Sequence, residues 1–439
     1  MITWVSSIIF IALLLSMGQR IVKRFKLIAQ TIHLTQPLYI QDHPKERLNR
    51  MMRLAFGQQK MFDKPLVALF HLFIYLGFIL INIKVLEIII DGIFGTHRIF
   101  ASILGSFYPF LINFFEILSG LVFVACIFFF IRRALLPIKR FQHPDLNGFP
   151  RKDAFTILGI EMILMLALWT MNACDALLQQ AGNEHYPLVG QFIISQNFIP
   201  LFTHFSIETI HLIERIAWWF HITGILSFAL YVTYSKHLHI FFAFPATYFS
   251  NLSKYGTMQS MPSVEFEVKN MLGLPTDPNF TPNPNQKFGA KDVFDLHIKN
   301  ALDAYSCTEC GRCTEQCPAN NSGRKLSPRK IMMATRDRLE DVGKVLEQNK
   351  GNWVDDGKAL LNDYISGEEL RACTTCQACL QACPIELNPL DIILQMRRFQ
   401  IMELSDAPNE WNLMFNNLET NQAPWKFNPN DRLNWATEQ

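Results

Sequence analysis

Charge is scarce in this chain. Only 18% of its 439 residues are Asp, Glu, Lys or Arg, against about 25% in ordinary soluble proteins, which points to a membrane part. Charge of one sign is absent as well: 40 Lys plus Arg face 38 Asp plus Glu. That balance excludes a strongly basic nucleic-acid binder and an acidic disordered tail, so no nucleic-acid partner is expected. Cysteine is nearly missing from the first 300 residues, where Cys126 and Cys174 each stand alone in an apolar run and read as packing residues. The other eight lie between positions 307 and 383. A mean hydropathy of only +0.13 is too low for a pure membrane protein, so the average conceals two unlike halves.

A helix needs about 20 apolar residues to cross hydrocarbon. Five stretches qualify: Ile2 to Met17, Pro65 to Ile90, Ser106 to Ile131, Ala154 to Leu178 and His211 to Tyr234. Ten Lys/Arg fall between the first and second, from Arg20 to Lys64, opposed only by Asp42, Glu46 and Asp63. Between the third and fourth lie Arg132, Arg133, Lys139, Arg140, Arg151 and Lys152, whereas Arg98 is the one Lys or Arg in the alternate loops, with none between Leu178 and Glu214. This asymmetry places the basic loops in the cytoplasm, the N-terminus outside and everything after Lys236 inside. In the first stretch the positive charges follow the apolar run rather than precede it, so it reads as a retained anchor and not a signal peptide.

After the fifth stretch, residues 241–290 carry Pro262, Pro275, Pro278, Pro282 and Pro284 and read as a linker over the cytoplasmic membrane surface. Residues 291–400 follow with helical spacing over Asp292 to Ala304 and Ser327 to Val342, the second opened by Ser327 as N-cap and Pro328 at the first helical position. Residues 401–439 form a tail suited to partner contact. The expected fold is mainly α: a five-helix transmembrane bundle over residues 1–240, followed by a cytoplasmic helical domain.

The chemistry of the second half lies in a repeated motif. Cys307, Cys310, Cys313 and Cys317-Pro318 have the spacing C-x2-C-x2-C-x3-C-P, and Cys373, Cys376, Cys379 and Cys383-Pro384 repeat it. This is the two-cluster ferredoxin pattern, in which the fourth cysteine of each run serves the other cluster. One [4Fe-4S] cluster is therefore assigned to Cys307, Cys310, Cys313 and Cys383, the second to Cys373, Cys376, Cys379 and Cys317. Disulfides are disfavoured in a reducing cytoplasm, and structural zinc sites space their cysteine pairs further apart. Two such clusters conduct single electrons.

Histidine inside a span is costly and is a functional hypothesis by default. His71 falls in the second stretch, and His211 and His221 in the fifth, with His237 and His239 at its end. On one continuous helix His221 and His239, 18 residues apart, would share a face, about 27 Å apart along the axis. The depth of His71 matches His239, giving a haem b near the inner surface; pairing His71 with His221 is the alternative. His185 and His204 of the outer loop stay unassigned, while His33, His43, His143 and His297 read as solvated surface residues. Among charged residues in the spans, Lys84 and Glu87 are expected to snorkel or pair. Glu161 is either a proton relay for a quinone site or an inert helix contact.

The run WWFHITGILSFALYVTYSKHLHIFFAFP, with His221 and His239, resembles the membrane b-haem subunits of respiratory nitrate reductase and of heterodisulfide reductase. There the corresponding fifth-helix pair ligates haem. His71 in ALFHLFIYLGF is similar to that family's inner second-helix ligand, whereas Ile81 stands where di-haem members carry the outer one, so the resemblance supports one haem and leaves a second open. The double cysteine module resembles the small iron-sulfur subunit of heterodisulfide reductase. The tail, with Pro424-Trp425, Arg432, Trp435 and Ala436, resembles the stretch preceding the cysteine-rich CCG domains of longer relatives. The resemblance implies a membrane oxidoreductase subunit that takes electrons from electron-transfer flavoprotein, or from a separate CCG-domain subunit, and passes them to menaquinone or another quinone in the bilayer of a bacterial or archaeal cytoplasmic membrane. The reverse flow, from quinol to a heterodisulfide-reductase-like partner, and a redox-sensing or assembly role are the competing expectations.

Overall fold

The structure, a computed structural model, describes residues 2–38, 42–253, 255–278, 280–283, 287–426 and 428–437; Pro284 of the expected linker lies outside them. Among the described residues there is no strand, only two isolated bridges. Among the same residues five helices are long and apolar enough to cross a membrane: α1 (Ile2–His33), α2 (Pro65–Phe94), α3 (Tyr108–Ala134), α4 (Phe149–Gln180) and α5 (Ile207–Val232). Large exposed apolar side chains such as Ile8, Leu86, Phe110, Ile163 and Phe220 cover their outer faces, as lipid-facing helices require. Inside, Phe10, Ile88, Leu168, Trp169, Trp218 and Ile222 share one core. Small residues let helices approach: a Cβ on Gly77 of α2 would meet Val122 of α3 at 2.3 Å.

The first helix is twice as long as its apolar stretch. Thirty-two residues at 1.5 Å each give about 48 Å, and the polar second half is a strut beneath the C-terminal domain. Lys23 pairs with Glu347, Arg24 with Glu340 at 2.6 Å, and the Thr31 hydroxyl meets that of Tyr305 at 3.0 Å. Ile28 and Ile32 accordingly belong to the same core as Ala304, Leu339 and Ile392 of that domain.

At the end of α5 the expectation of one continuous helix carrying both His221 and His239 is corrected. The chain turns at residues 233–235, where the Thr233 hydroxyl bonds back to Leu230 O at 2.7 Å and the Ser235 hydroxyl accepts from His237 N. These local side-chain bonds compete with the helical ladder. A short 3-10 turn follows, and His239 opens a separate helix, α6 (His239–Tyr248). The linker region is also more ordered than its prolines suggest, with a further helix at Pro262–Met271 whose proline occupies the first turn, where a missing N–H costs nothing.

The remaining segment contains α7 (Ile298–Ser306), α8 (Pro328–Gln348) and α9 (Pro389–Arg398), joined by short turns, and a further helix in the tail at Asn409–Asn421. Ser327 caps α8 by accepting from Lys330 N, with Pro328 at its first position, as the sequence indicates. The fully buried Arg329 ties this segment to the loop between α3 and α4 through its pair with Asp145 and a 2.7 Å bond to Arg140 O.

Candidate functional site

Both cysteine runs fold alike. In each, the second and fourth positions after the first cysteine are left-handed: Glu309 (φ 57°) and Gly311 (φ 73°) in the first, Thr375 (φ 57°) and Gln377 (φ 61°) in the second. Such alternation curls the chain around one point. The third cysteine of each run then sits in a short helix, Arg312–Glu315 or Ala378–Ala382, and the two helices pack against each other. Cys317 and Cys383, in extended backbone before or within a turn, point away from their own runs.

The outcome is an exchange of partners. Cys383 has Cys310 and Cys307 as its principal thiol neighbours, and Cys313 adds Cys310, Cys307 and Cys383. Cys379 neighbours Cys373, Cys317 and Cys376. Two four-cysteine groups thus stand side by side, Cys379 being also within electrostatic reach of Cys313. Among the described residues no three His, Cys, Asp or Glu converge as a single metal ion would need; a multi-iron cluster holds its cysteines at separated corners. Burial pushes the thiols of Cys307, Cys379 and Cys383 up to about 12. Iron binding would have to displace those protons. Backbone N–H groups already aim at sulfur: Thr375 N at Cys373 Sγ and Leu387 N at Cys383 Sγ, both at 3.4 Å. The residues therefore fit cluster ligation.

The site rests on the bundle. Lys60, just before α2, donates to Gln381 O at 3.0 Å and Cys383 O at 3.4 Å and pairs with Glu386, while Arg312 of the first run donates to Lys60 O at 3.1 Å. Cys307 is buried, whereas Cys376 is exposed. Each group holds one buried thiol, Cys307 or Cys317, and Cys376 is the one exposed cysteine of the eight; Cys310 lies within electrostatic reach of Arg133 at the end of α3.

Three histidines share one orientation. The Nδ1 of His71 bonds Gln58 Oε1 at 2.9 Å, that of His221 bonds Leu164 O at 3.0 Å, and that of His239 bonds Lys236 O at 3.1 Å. Each acceptor is an oxygen, so Nδ1 carries the proton and the Nε2 lone pair is left for a metal. His71, His237 and His239 gather at the end of the bundle that meets the cysteines. The rings of His237 and His239 are 5.4 Å apart, and the Nδ1 of His237 is buried without a partner. Burial holds both below the ordinary histidine range, hence neutral. His221 lies apart, buried between α4 and α5. These residues fit haem ligation, with His71 and His239 together and His221 separate.

At the opposite end of the bundle is a buried polar brace. Lys84 pairs with Glu87 at 2.7 Å and both are buried, so they pair rather than snorkel. Tyr108 donates to Glu87 at 2.8 Å, and Arg98 bonds Asp175 at 2.6 Å and Asn172 at 3.1 Å. Glu116 accepts from Asn172, Ser195 and two backbone N–H groups. Arg98 joins the two halves and keeps its proton at every accessible pH, which interrupts any side-chain proton relay here. Glu161, on α4, is half-buried with no hydrogen-bond or ion-pair partner among the described residues. His143 and His297 are not simply solvated: His143 bonds Asn320 at 3.3 Å, and the Nδ1 of His297 is buried. Sequence reasoning did not single out Gln58, Lys236, Glu309 or Arg312, because their roles depend on contacts between residues far apart along the chain.

Residues 306–387 match the family described as "4Fe-4S dicluster domain". This segment is a dicluster domain. Most of the chain is homologous to iron-sulfur oxidoreductases. It is 26% identical over 422 residues to the "Probable iron-sulfur-binding oxidoreductase FadF" of Bacillus subtilis, covering 90% of this chain and 55% of that protein. It is likewise 26% identical over 425 residues to the "EtfAB:quinone oxidoreductase" of Syntrophomonas wolfei, with the same coverage of 90% and 55%. Over 114 residues it is 32% identical to one component of a ferredoxin/F(420)H(2)-dependent CoB-CoM heterodisulfide reductase from Methanosarcina acetivorans, covering 26% of this chain and 56% of that one. The chain spans about half the length of these relatives. No solved structure matches it.

Proposed function

We propose that this chain is a membrane electron-transfer subunit that carries electrons between a cytoplasmic redox protein and the quinone pool. The supporting observation is the seating of the dicluster domain: its first cysteine run, through Arg312, meets the end of the bundle where His71 and His239 gather, while Cys376 of the second run is exposed. Cys307, Cys310, Cys313 and Cys383 would hold one [4Fe-4S] cluster, and Cys373, Cys376, Cys379 and Cys317 the other. His71 and His239 would hold a haem b, with His221 as the candidate ligand of a second group. When bound, such cofactors take up and release single electrons. The chain's own part is to hold them in order, keep Cys307 and Cys317 out of water, and leave Cys376 accessible to a donor.

The basic loops lie at the dicluster end of the bundle, which by the positive-inside rule is the cytoplasmic side. One relative is named for EtfAB and quinone; for this chain the proposed donor is electron-transfer flavoprotein, with a CCG-type subunit as the alternative, and the proposed acceptor is a quinone such as menaquinone. Glu161, a carboxyl group at membrane depth with no partner among the described residues, is the candidate to deliver protons to quinone. The test is an optical spectrum of the purified protein, air-oxidised against dithionite-reduced, with a pyridine haemochrome assay and iron and sulfide determination. A b-type band together with iron and acid-labile sulfide is expected. Full iron and sulfide without porphyrin would overturn the haem assignment and the path through the bundle.

A further inference from the structure

The two cysteine runs differ in two buried charges, Glu309 and Arg312, where the second run has Thr375 and Ala378 at the equivalent positions; Glu309 is the one that cations from outside the run hold at both oxygens. Glu309, between Cys307 and Cys310, is 2% exposed, whereas its counterpart in the second run is the uncharged Thr375. One oxygen of Glu309 takes the ammonium of Lys236 and the other the guanidinium of Arg336. With an ammonium on one oxygen and a guanidinium on the other, Glu309 is the centre of a buried ion triad. Lys236 stands at the corner between α5 and α6. Its ammonium also bonds Pro150 O at 2.6 Å and lies 3.7 Å from Asp153, and its backbone carbonyl accepts the Nδ1–H of His239.

Such a triad could be a structural staple alone. A buried ion pair is weak evidence for net stability, because desolvation offsets much of the attraction. Charges at this position have a second effect, since the reduction potential of an iron-sulfur cluster follows local net charge, hydrogen bonds to sulfur and solvent exposure. A carboxylate between two ligating cysteines disfavours an added electron, and a cation beside it favours one.

We propose that Glu309, held between Lys236 and Arg336, sets the reduction potential of the cluster on Cys307, Cys310, Cys313 and Cys383 apart from that of its neighbour. This rests on the two-cluster reading above. Glu309 is here a positioning and tuning residue that touches no substrate. The asymmetry falls in the cysteine run that meets the bundle, and Lys236 extends it to the residue that orients His239.

The test is a potentiometric EPR titration of the full-length, cluster-loaded protein, with Cys376→Ser used to remove the second cluster and so assign the remaining signal. Glu309→Gln, nearly isosteric, is expected to raise the midpoint of the Cys307–Cys383 cluster and leave the other in place. Lys236→Met and, independently, Arg336→Met are expected to lower it. Opposite signs from one triad cannot come from general loosening of the site. Unchanged midpoints, shifts of one sign in all variants, or a shift confined to the signal that Cys376→Ser abolishes would each overturn the proposal. Absence of cluster signals in the unsubstituted protein would overturn the electron-transfer reading together with it, whereas absence of haem alone would leave this result standing.

Discussion

Cys383 sits beside Cys310, although the two belong to different cysteine runs. Cys317 correspondingly neighbours Cys373 and Cys379. If each run closed on itself, Cys383→Ser and Cys376→Ser would damage the same cluster. With crossed partners, Cys383→Ser should leave the same residual EPR spectrum as Cys310→Ser, and Cys317→Ser the same as Cys376→Ser. Each single variant is expected to lose about half of the bound iron, in line with four cysteine ligands per cluster. Identical residual spectra for Cys383→Ser and Cys376→Ser would return both fourth cysteines to their own runs.

For haem, the informative residue is the one behind the ligand. Gln58, itself buried and left-handed at φ 50°, accepts from the Nδ1 of His71. Partners of this kind fix the tautomer and ring orientation of a ligating histidine, and losing one costs about 10- to 100-fold in metal affinity. His71→Ala and His239→Ala should each abolish the low-spin band. Gln58→Leu should retain a band but lose haem on dilution about 10- to 100-fold more readily. His221→Ala is expected to leave the band of the His71 and His239 site intact. A band unchanged in His71→Ala would refute the ligand assignment.

The five apolar helices, the α class and the paired cysteine motif were legible because each follows from local pattern: an apolar run of sufficient length, or fixed spacing of one residue type. Ser327 and Pro328 at the start of α8 were legible for the same reason. The break after α5 was not. A largely apolar and aromatic run from Trp218 to Phe244 reads as one helix, and only the side-chain bonds of Thr233 and Ser235 end it. The second half of α1 was missed because its polar residues look like a loop until Glu340, Glu347 and Tyr305 are placed against them. The tuning carboxylate at Glu309 is invisible in the motif, since the spacing is indifferent to what stands between the cysteines.

Gly311 and Gln377 occupy equivalent left-handed positions with unlike neighbours. A Cβ on Gly311 would approach Arg329 Nη1 at 2.4 Å, and Arg329 cannot withdraw because it holds Asp145 and Arg140 O. Gln377 has the room, and its side chain binds Gly256 N and Thr257 O, at 2.7 and 2.9 Å, pinning the linker. Gly311→Ala should therefore cost about 1–2 kcal/mol in backbone conformation plus the displacement of Arg329, and lower the iron content of the first cluster selectively. Gln377→Gly should spare both clusters and instead speed protease cleavage near residue 256. Equal iron content in Gly311→Ala and the unsubstituted protein would show that Arg329 can yield.

Asp175 of α4 holds Arg98, which enters from the loop after α2 and carries the link onward to Asn172 and Tyr108. Both partners are almost fully buried, so each depends on the other to remain charged away from water. Removing one member of such a pair costs about 3–5 kcal/mol, because the charge left behind has no compensation. Asp175→Ala should therefore lower the thermal midpoint of the detergent-solubilised protein sharply. The double variant Asp175→Ala with Arg98→Met should recover much of the loss, because no isolated charge remains. If the brace is structural and not a proton path, the double variant should also keep its cofactor spectra and any quinone reductase rate of the complete complex near those of the unsubstituted protein. A stable double variant with normal spectra but a quinone rate reduced about tenfold or more, a barrier increase of about 1.4 kcal/mol, would instead assign these residues to proton transfer at the far end of the bundle.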